Sequence, residues 1–298
     1  MNKLLTQKCI TLIEYLKNSL RSGYLSKTAD SKLVFVCGAN HLNSKRTQFL
    51  SYAYRHFTNF HFFKAENFFE CLENVDSADL ITLENTLGHY SDCILVILES
   101  NSAFAELGAF ANHEQLRKVL LVINDINFQN EPSYINHGPL KIVDKYSIFK
   151  PSVFADFDVF ARVMSQIENK LNEIKRVNSI KLGKALDVNY FNQNPKDNLL
   201  FIHDMIALFS PVSKDELVKI MKFIFDTPYY DLSIVLPLLE SLGLVKKVDE
   251  YFVATGLKTD FYLIALNIDL RRLRANIINS YAKKQPSKLD ILAKWTEL

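Results

Sequence analysis

The sequence has little glycine, little cysteine and almost no net charge, and each shortage excludes a class of protein. Its eight glycines in 298 residues form no G-x-G-x-x-G run and no Walker loop, which argues against a Rossmann dehydrogenase and a P-loop ATPase. Its four cysteines form no C-x-x-C pair and no zinc spacing with histidine, so we expect a reduced intracellular protein without a metal site. With 35 Lys and Arg against 33 Asp and Glu, the net charge of +2 indicates no particular partner. The longest apolar runs, such as 93–98, are too short to span a bilayer, so we predict a cytoplasmic protein without membrane contact.

Apolar runs alternate with helical periodicity from residue 32 to about residue 175. Runs typical of parallel strands buried on both faces lie at 33–37, 61–63, 93–98 and 119–123. Helical spacing of apolar residues appears at 47–56, 78–89, 100–117 and 153–175. This order predicts an α/β fold with a parallel sheet flanked by helices, of the Rossmann-like or flavodoxin-like kind. Ligands of such sheets bind beyond the carboxyl ends of the strands, which directs attention to 38–46, to 99–106 and to the segment from Asn124 onward. The polar segment 128–137 is either a lid or a long connection.

The periodicity divides the chain into two domains and a linker. The α/β domain is predicted over residues 1–175 and includes an N-terminal helix over 3–22. Residues 176–198 are predicted as the linker, because several asparagines and Pro195 interrupt the pattern. Residues 199–298 are predicted as the second domain.

The second domain has the pattern of a winged helix. Ser213 with Glu216 predicts a capping box at the start of one helix. Asp231 is expected to cap the next helix, and Gly243 is expected to end it. The polar turn 246–250 between two apolar pairs predicts a hairpin. Three helices followed by a hairpin predict a winged helix-turn-helix.

Glu106 is the acidic residue that the apolar pattern explains least. It lies within 104–110, where its neighbours are Phe, Ala, Leu and Gly. Burying an unpaired carboxylate costs several kcal/mol or raises its pKa. A capping box would need Ser, Thr, Asp or Asn three residues earlier, but that position is Ala103. A solvent-facing side chain and an ion pair with Arg46 or Arg55 remain as structural alternatives.

The functional interpretation of Glu106 follows from its position just after the apolar run 93–98. We expect it to lie over the carboxyl edge of the sheet, where a carboxylate can attack or stabilise the anomeric carbon of a ribose as the base departs. Gly108 and Ala109 are expected to let this helix approach neighbouring backbone closely.

Three stretches carry a resemblance to a known family: 79–84, 91–100 and 102–110. They resemble the nucleoside deoxyribosyltransferase-like superfamily, and in particular the deoxyribosyltransferase-like effectors of bacterial retron antiphage systems. The pattern Glu-Ser-x-Ser-x-x-x-Glu-Leu-Gly over 99–108 is its most specific part. Those effectors join this domain to a C-terminal winged-helix DNA-binding domain, so the resemblance covers both halves of the chain.

The resemblance implies the roles of particular residues. Glu106 matches the catalytic glutamate that acts at the anomeric carbon. The substrate-binding residues that it implies are Gly38, Asn40, Ser44, Arg46, Asp92, Ser100 and Ser102. Two of these residues have a structural alternative. Arg46 could be a solvent-exposed residue at the start of a helix, and Asp92 could be a cap or turn residue.

The resemblance also implies an activity and partners. The chain is longer than the small transferases, so hydrolysis of an N-glycosidic bond is favoured over transfer, with NAD as the leading candidate substrate and no cofactor. The implied partners are the retron reverse transcriptase and its multicopy single-stranded DNA (msDNA) or non-coding RNA, and a higher-order oligomer stays open. The rival interpretations are a nucleotide-sensing DNA-binding regulator and a nucleoside deoxyribosyltransferase of salvage.

The C-terminal residues are basic. From 258 to 298 there are eight Lys or Arg against four Asp or Glu. The predicted nucleic-acid or partner surface consists of Arg271, Arg272, Arg274, Lys283 and Lys284, with a solvated helix as the alternative. Few basic residues lie between 231 and 242, so reading of a major groove by that helix is not expected. A structured RNA–DNA hybrid or a protein partner fits better.

Overall fold

The structure is a computed structural model that describes residues 5–21, 24–25, 31–72, 79–174, 180–181, 188–226, 232–255 and 269–296. The chain forms two compact units. Ser31–Arg176 make up the first, which we call the α/β unit. Met1–Asp30 together with Val177–Leu298 make up the second, which we call the helical unit.

Both units contain helices and strands. The α-helices of the described ranges are α1 (Gln7–Arg21), α2 (Lys45–His56), α3 (Ala65–Glu70), α4 (Leu80–Tyr90), α5 (Asn101–Asn112), α6 (Lys141–Tyr146), α7 (Met164–Asn172), α8 (Val188–Gln193), α9 (Pro195–Phe209), α10 (Lys214–Phe225), α11 (Leu232–Ser241), α12 (Leu270–Lys284) and α13 (Ser287–Thr296). The strands are β1 (Tyr24–Leu25), β2 (Lys32–Cys37), β3 (Phe60–Phe63), β4 (Cys93–Ile97), β5 (Leu120–Asp125), β6 (Val153–Ala155), β7 (Ile180–Lys181), β8 (Val212–Ser213), β9 (Val245–Val248) and β10 (Tyr251–Ala254). Short 3-10 segments lie at Leu116–Val119, Ile126–Phe128 and Phe157–Val163, and a π-helical turn lies at Asn136–Leu140. None of the helices in these ranges combines the length and the hydropathy needed to cross a membrane.

One parallel sheet organises the α/β unit. Its strands lie in the order β3-β2-β4-β5-β6. Every residue of β2 and β4 is buried, as expected for strands covered by helices on both faces. The predicted α/β fold with a parallel sheet flanked by helices is therefore confirmed.

The strand order creates a switch point between β2 and β4. From β2 the chain passes to β3 on one side, and it then returns to β4 on the other side of β2. In open parallel sheets, ligands bind beyond the carboxyl ends of the strands at this reversal. The loops that follow β2 and β4 therefore border the position where a ligand is expected.

Aromatic and aliphatic side chains hold helices against both faces of the sheet. On one face, a cluster includes residues of β2, β4, β5, α2 and α7. On the other face, the ring of Phe35 stacks on Phe63 with centroids 5.2 Å apart and meets Phe110 edge-on at 6.1 Å. Because Phe110 belongs to α5, this contact fixes the helix that carries Glu106 against the sheet.

The helical unit follows the order α9, β8, α10, α11, β9, β10. The strands β8, β10 and β9 form an antiparallel sheet in that spatial order, which confirms the predicted hairpin. The Ser213–Glu216 capping box is present at the start of α10. Gly243 has a φ of +67° just after α11, which confirms it as the end of that helix. The predicted cap at Asp231 lies outside the described residues.

The structure corrects the prediction for the N-terminal helix. The sequence placed it in the α/β domain, but α1 packs against α10 and α12 within the helical unit. Its apolar stripe includes Cys9, Ile13 and Leu16, which are all buried, and Thr6 hydrogen-bonds Ser280 of α12 at 2.7 Å. Periodicity reveals that a helix has an apolar face but not which partner will cover it.

The predicted linker over 176–198 is also corrected. Its second half folds into α8 and the start of α9, with Phe191, Asp197 and Asn198 buried. Asn194 and Pro195 mark the boundary between two helices, because proline suits the first turn of a helix. Polar residues that indicated a linker therefore serve as helix ends.

The long helix predicted over 153–175 begins later than expected. Val153–Ala155 form the edge strand β6, which pairs with β5, and Asp156 then caps a 3-10 segment before α7. The segment 128–137 is a folded connection in which the Asn136 side-chain amide donates to the carbonyls of Phe128 and Glu131, both at 2.8 Å.

Candidate active site

A cavity of about 260 Å³ lies at the switch point of the sheet. Its wall combines the end of β2 and the loop after it with side chains of α2, α3, α4 and α5. The lining residues are Phe35, Val36, Cys37, Gly38, Ala39, Asn40, Arg46, Ala65, Glu66, Phe69, Glu84, Ser100, Ser102 and Glu106. The predicted residues Gly38, Asn40, Arg46, Ser100, Ser102 and Glu106 are thus brought together here.

Glu106 projects into the cavity from the second turn of α5. Ser100 is the N-cap of this helix, and its side chain accepts the amide of Ala103 at 3.3 Å. Glu106 is half-buried, and its Oε2 is buried with no hydrogen-bond partner among the described residues. Burial raises the pKa of this carboxyl, while a hydrogen bond with the Cys37 thiol and the charge of Arg46 work in the opposite direction. A carboxylate oxygen left unsatisfied beside a cavity is suited to interact with a bound molecule.

Glu84 is a second carboxyl in the same cavity, and the sequence reasoning gave it no role. It projects from α4, and burial, followed by the charges of Glu106 and Glu66, raises its pKa to about 7. It can therefore hold or release a proton near neutral pH. One sequence signal could have identified it. Glu84 lies four residues after Leu80 and three before Leu87, which puts an acidic residue next to the apolar face of the predicted helix.

The Arg46 side chain is buried, and its guanidinium is not available to bind a phosphate. Its side chain is 4% exposed, and its guanidinium forms a bidentate pair with Glu66 at 2.6 and 3.2 Å. Its Nε donates to the carbonyl of Ala39 at 3.1 Å. Burial acts to raise the pKa of Glu66, but the hydrogen bonds and charge of Arg46 outweigh it and hold that pKa below its ordinary value. The prediction of a phosphate-gripping Arg46 is thus corrected, because an internal carboxylate already uses the donors of its fork.

Glu99 closes the loop between β2 and α2. Its Oε1 accepts the amides of Ala39 at 3.2 Å and Arg46 at 2.9 Å, and its Oε2 accepts the amide of Lys45 at 2.6 Å. The amides of Lys45 and Arg46 lie at the start of α2, where phosphates are held in many nucleotide-binding folds, and the amide of Ala39 lies in the loop shortly after β2. Gly38 belongs to the same arrangement, since a Cβ there would lie 3.0 Å from Cβ of Arg46 and 3.2 Å from Oε1 of Glu99.

The sequence was compared with known proteins. The model of the family described as "STM3845 retron effector protein" matches residues 42–247, which is more than half of the chain. The chain belongs to this retron effector family. The chain is also 29% identical over 282 residues to the "Retron Ec73 putative ribosyltransferase/DNA-binding protein" of Escherichia coli, covering 87% of this chain and 88% of the relative. It is 38% identical over 120 residues to the "Retron Ec86 putative ribosyltransferase/DNA-binding protein" of Escherichia coli, covering 38% of each chain. Family membership associates the chain with a retron system, and the predicted retron effector identity is confirmed at this level.

Two residues predicted to bind substrate lie away from the effector's cavity. Ser44 is the buried N-cap of α2, and its hydroxyl accepts the amide of Thr47 at 3.0 Å. Asp92 precedes β4 at the amino end of the sheet, where its Oδ2 accepts the amide of Leu33 at 2.8 Å. Both therefore have structural roles, because strand direction places Asp92 at the opposite edge and helix geometry turns Ser44 inward. Gly108 was expected to allow a close approach of neighbouring backbone. This prediction is wrong, since a Cβ at Gly108 would meet nothing within 4 Å.

Four of the five basic residues predicted to contact nucleic acid or a partner are exposed on α12, and their role in binding stays a prediction. Arg271, Arg272, Lys283 and Lys284 are exposed. Arg274 points inward, where it donates to the carbonyl of Leu208 at 3.1 Å, and burial lowers its pKa. It satisfies a carbonyl at the end of α9, so it is removed from the predicted surface.

Proposed function

We propose that the chain is the toxin effector of a retron antiphage system and hydrolyses the N-glycosidic bond of a nucleotide, with NAD as the substrate that we favour. The observation that carries this proposal is the buried Oε2 of Glu106, which has no hydrogen-bond partner within the described part of the chain and lies at the wall of a cavity over the sheet's carboxyl edge. Cleavage of an N-glycosidic bond proceeds through an oxocarbenium-like state, which an adjacent carboxylate stabilises. The ribosyltransferase names of the two Escherichia coli relatives support the same class of chemistry.

In this mechanism Glu106 faces the anomeric carbon of the ribose. The bond from that carbon to nicotinamide breaks, and its electron pair stays on the ring nitrogen, which loses its positive charge. Water then forms the new bond to the anomeric carbon and gives up a proton. Glu84 lines the same cavity with a pKa of about 7, so its ionised form is suited to accept that proton.

The charge of the cavity favours a cationic substrate. Arg46 is held in an ion pair with Glu66, and the described residues that line the cavity offer the carboxyls of Glu84 and Glu106 no further Lys or Arg. An anionic cavity attracts the pyridinium ring of NAD and stabilises the positive charge that develops on the sugar. This supports NAD over a neutral nucleoside.

We further propose that the helical unit holds a winged-helix domain that docks the effector to the reverse transcriptase and its msDNA in the cytoplasm, where the complex keeps the toxin inactive. The DNA-binding names of the relatives support a nucleic-acid contact. The order α9, β8, α10, α11, β9, β10 supports the winged helix. Buried apolar residues dominate α11, which carries no basic residue, so we assign the contact to the exposed basic residues of α12.

The decisive experiment incubates the purified protein with NAD and follows the release of nicotinamide. We expect Glu106→Gln to lower the rate by about a thousandfold or more, since the amide cannot supply the negative charge. Glu114→Gln is the matched control, because Glu114 is exposed and outside the cavity lining. Equal rates for the wild type and Glu106→Gln would remove Glu106 from the chemistry. Adding a free nucleobase distinguishes transfer, which yields a new nucleoside bond, from hydrolysis, which yields ADP-ribose.

A further inference from the structure

The carboxylate of Glu99 has the geometry of a bound anion at the start of a helix. Three backbone amides, those of Ala39, Lys45 and Arg46, donate to it at distances of 2.6 to 3.2 Å. Such converging amides, together with the partial positive charge of a helix N-terminus, ordinarily make a site for phosphate. In this protein the anion is part of the chain and comes from the loop that follows the neighbouring strand β4.

The internal anion leaves no room for an external one. A phosphate that approached these amides would have to displace Glu99 and would meet its negative charge. Arg46 gives no compensation, because its guanidinium is engaged by Glu66 and by the carbonyl of Ala39. The other carboxyls of the cavity, Glu84 and Glu106, add to the repulsion of a phosphate.

We propose that Glu99 determines specificity by excluding phosphate from the loop between β2 and α2. This inference rests on the proposed function, because it states which part of the nucleotide substrate enters the cavity. The cavity then takes the ribose and base, while any phosphate of the substrate stays at the mouth, near the exposed Asn40 and Ser102.

The size of the cavity supports this division of the substrate. Its volume of about 260 Å³ is below the roughly 300–1,000 Å³ of pockets that enclose a whole drug-sized ligand. One ribose with one base is a suitable occupant, and a complete dinucleotide is too large. The phosphate next to the ribose carries up to two negative charges in a 5′-monophosphate but only one in the diphosphate diester of NAD, so 5′-monophosphates are the substrates that Glu99 disfavours most.

The test compares the binding of ribose and ribose 5-phosphate to the full-length protein by isothermal titration calorimetry or ligand-observed NMR. The variant is Glu99→Gln, which removes the charge and keeps the shape, and the control is Glu114→Gln, which removes an exposed charge elsewhere. We expect Glu99→Gln to bind ribose 5-phosphate about tenfold more tightly than the wild type, because the amides then lack an anion. We expect the affinity for ribose to change much less and Glu114→Gln to match the wild type.

An unchanged affinity of Glu99→Gln for ribose 5-phosphate would overturn the inference. If Glu99→Gln does not fold, the wild type decides, because tighter binding of ribose 5-phosphate than of ribose would overturn the inference and the reverse order would support it. These measurements detect binding without turnover. Their outcome is therefore independent of the proposal that the protein hydrolyses NAD. That proposal fails only if nicotinamide release does not depend on Glu106.

Discussion

Arg46 and Glu66 form a bidentate ion pair in the wall of the candidate active site, with Nη2 to Oε1 at 2.6 Å and Nη1 to Oε2 at 3.2 Å. The two sides of this pair differ in exposure, since the side chain of Arg46 is 4% exposed and that of Glu66 is 34% exposed. Removing Arg46 and removing Glu66 are therefore expected to lower the free energy of unfolding by different amounts.

We predict that Glu66→Ala lowers the free energy of unfolding by about 3 kcal/mol, because it leaves a buried guanidinium without its carboxylate. Adding Arg46→Met to Glu66→Ala is expected to restore part of this loss, since the buried charge is then gone. Urea denaturation of the wild type, both single variants and the double variant measures the coupling. Additive losses would show that the pair contributes no interaction energy.

Gly38 and Gly108 offer a matched pair of glycine substitutions. At Gly38 the φ is +156° and a Cβ would lie 3.0 Å from Cβ of Arg46, so we predict that Gly38→Ala lowers the free energy of unfolding by about 2 kcal/mol and disturbs the cavity. At Gly108 a Cβ meets open space in α5, so Gly108→Ala is expected to stabilise by about 0.5–1 kcal/mol. Thermal denaturation checks both, and equal effects would contradict the described loop geometry.

Glu84 is expected to make stability depend on pH. Its pKa rises from an ordinary 4.5 to about 7 in the folded protein, so the folded state holds this proton more strongly than the unfolded state. The resulting penalty is absent below about pH 4.5, grows as the pH rises and is complete above about pH 7. We predict that Glu84→Gln is more stable than the wild type by on the order of 2 kcal/mol at pH 8 and by little at pH 4.5. A difference that does not vary with pH would contradict the raised pKa.

The same carboxyl is expected to shape the pH dependence of activity. If ionised Glu84 accepts the proton of the attacking water, the rate of NAD cleavage rises through about pH 7. Glu84→Gln should lose this rise while retaining a slower, flatter rate. A wild-type rate that falls through the same range would assign Glu84 a proton-donating role, as cleavage of a purine nucleoside requires.

The basic surface of α12 is expected to contact nucleic acid. We predict that the double variant Arg272→Glu and Lys283→Glu binds the retron msDNA at least about tenfold more weakly, with a shallower dependence on salt, because fewer counterions are released. Lys219→Glu, which changes an exposed charge on α10, is the control. Fluorescence anisotropy at several salt concentrations measures the effect, and an equal loss in the control would point to net charge rather than to this surface.

The local pattern of the sequence was sufficient for several features of the fold. Continuous apolar runs such as Leu33 to Cys37 can be satisfied only between two layers of helices, so they predicted the parallel sheet and its ligand-binding edge. The Ser213–Glu216 capping box and the helix end at Gly243 depend on residues a few positions apart, and both were read correctly. Glu106 could be singled out because its neighbours along the chain are Phe, Ala and Leu, and burying a carboxylate with them is costly.

Only the tertiary structure decided which residues meet. The partner of α1, the strand β6 in place of the start of a helix, and the inward turn of Arg274 all depend on contacts between segments far apart in sequence. The same holds for Glu84, Glu66 and Glu99, whose roles come from the carboxyl, guanidinium and amide groups that the fold brings beside them. A pKa, an ion pair or an occupied anion site is a property of a neighbourhood in space, and a single sequence records neighbours only along the chain.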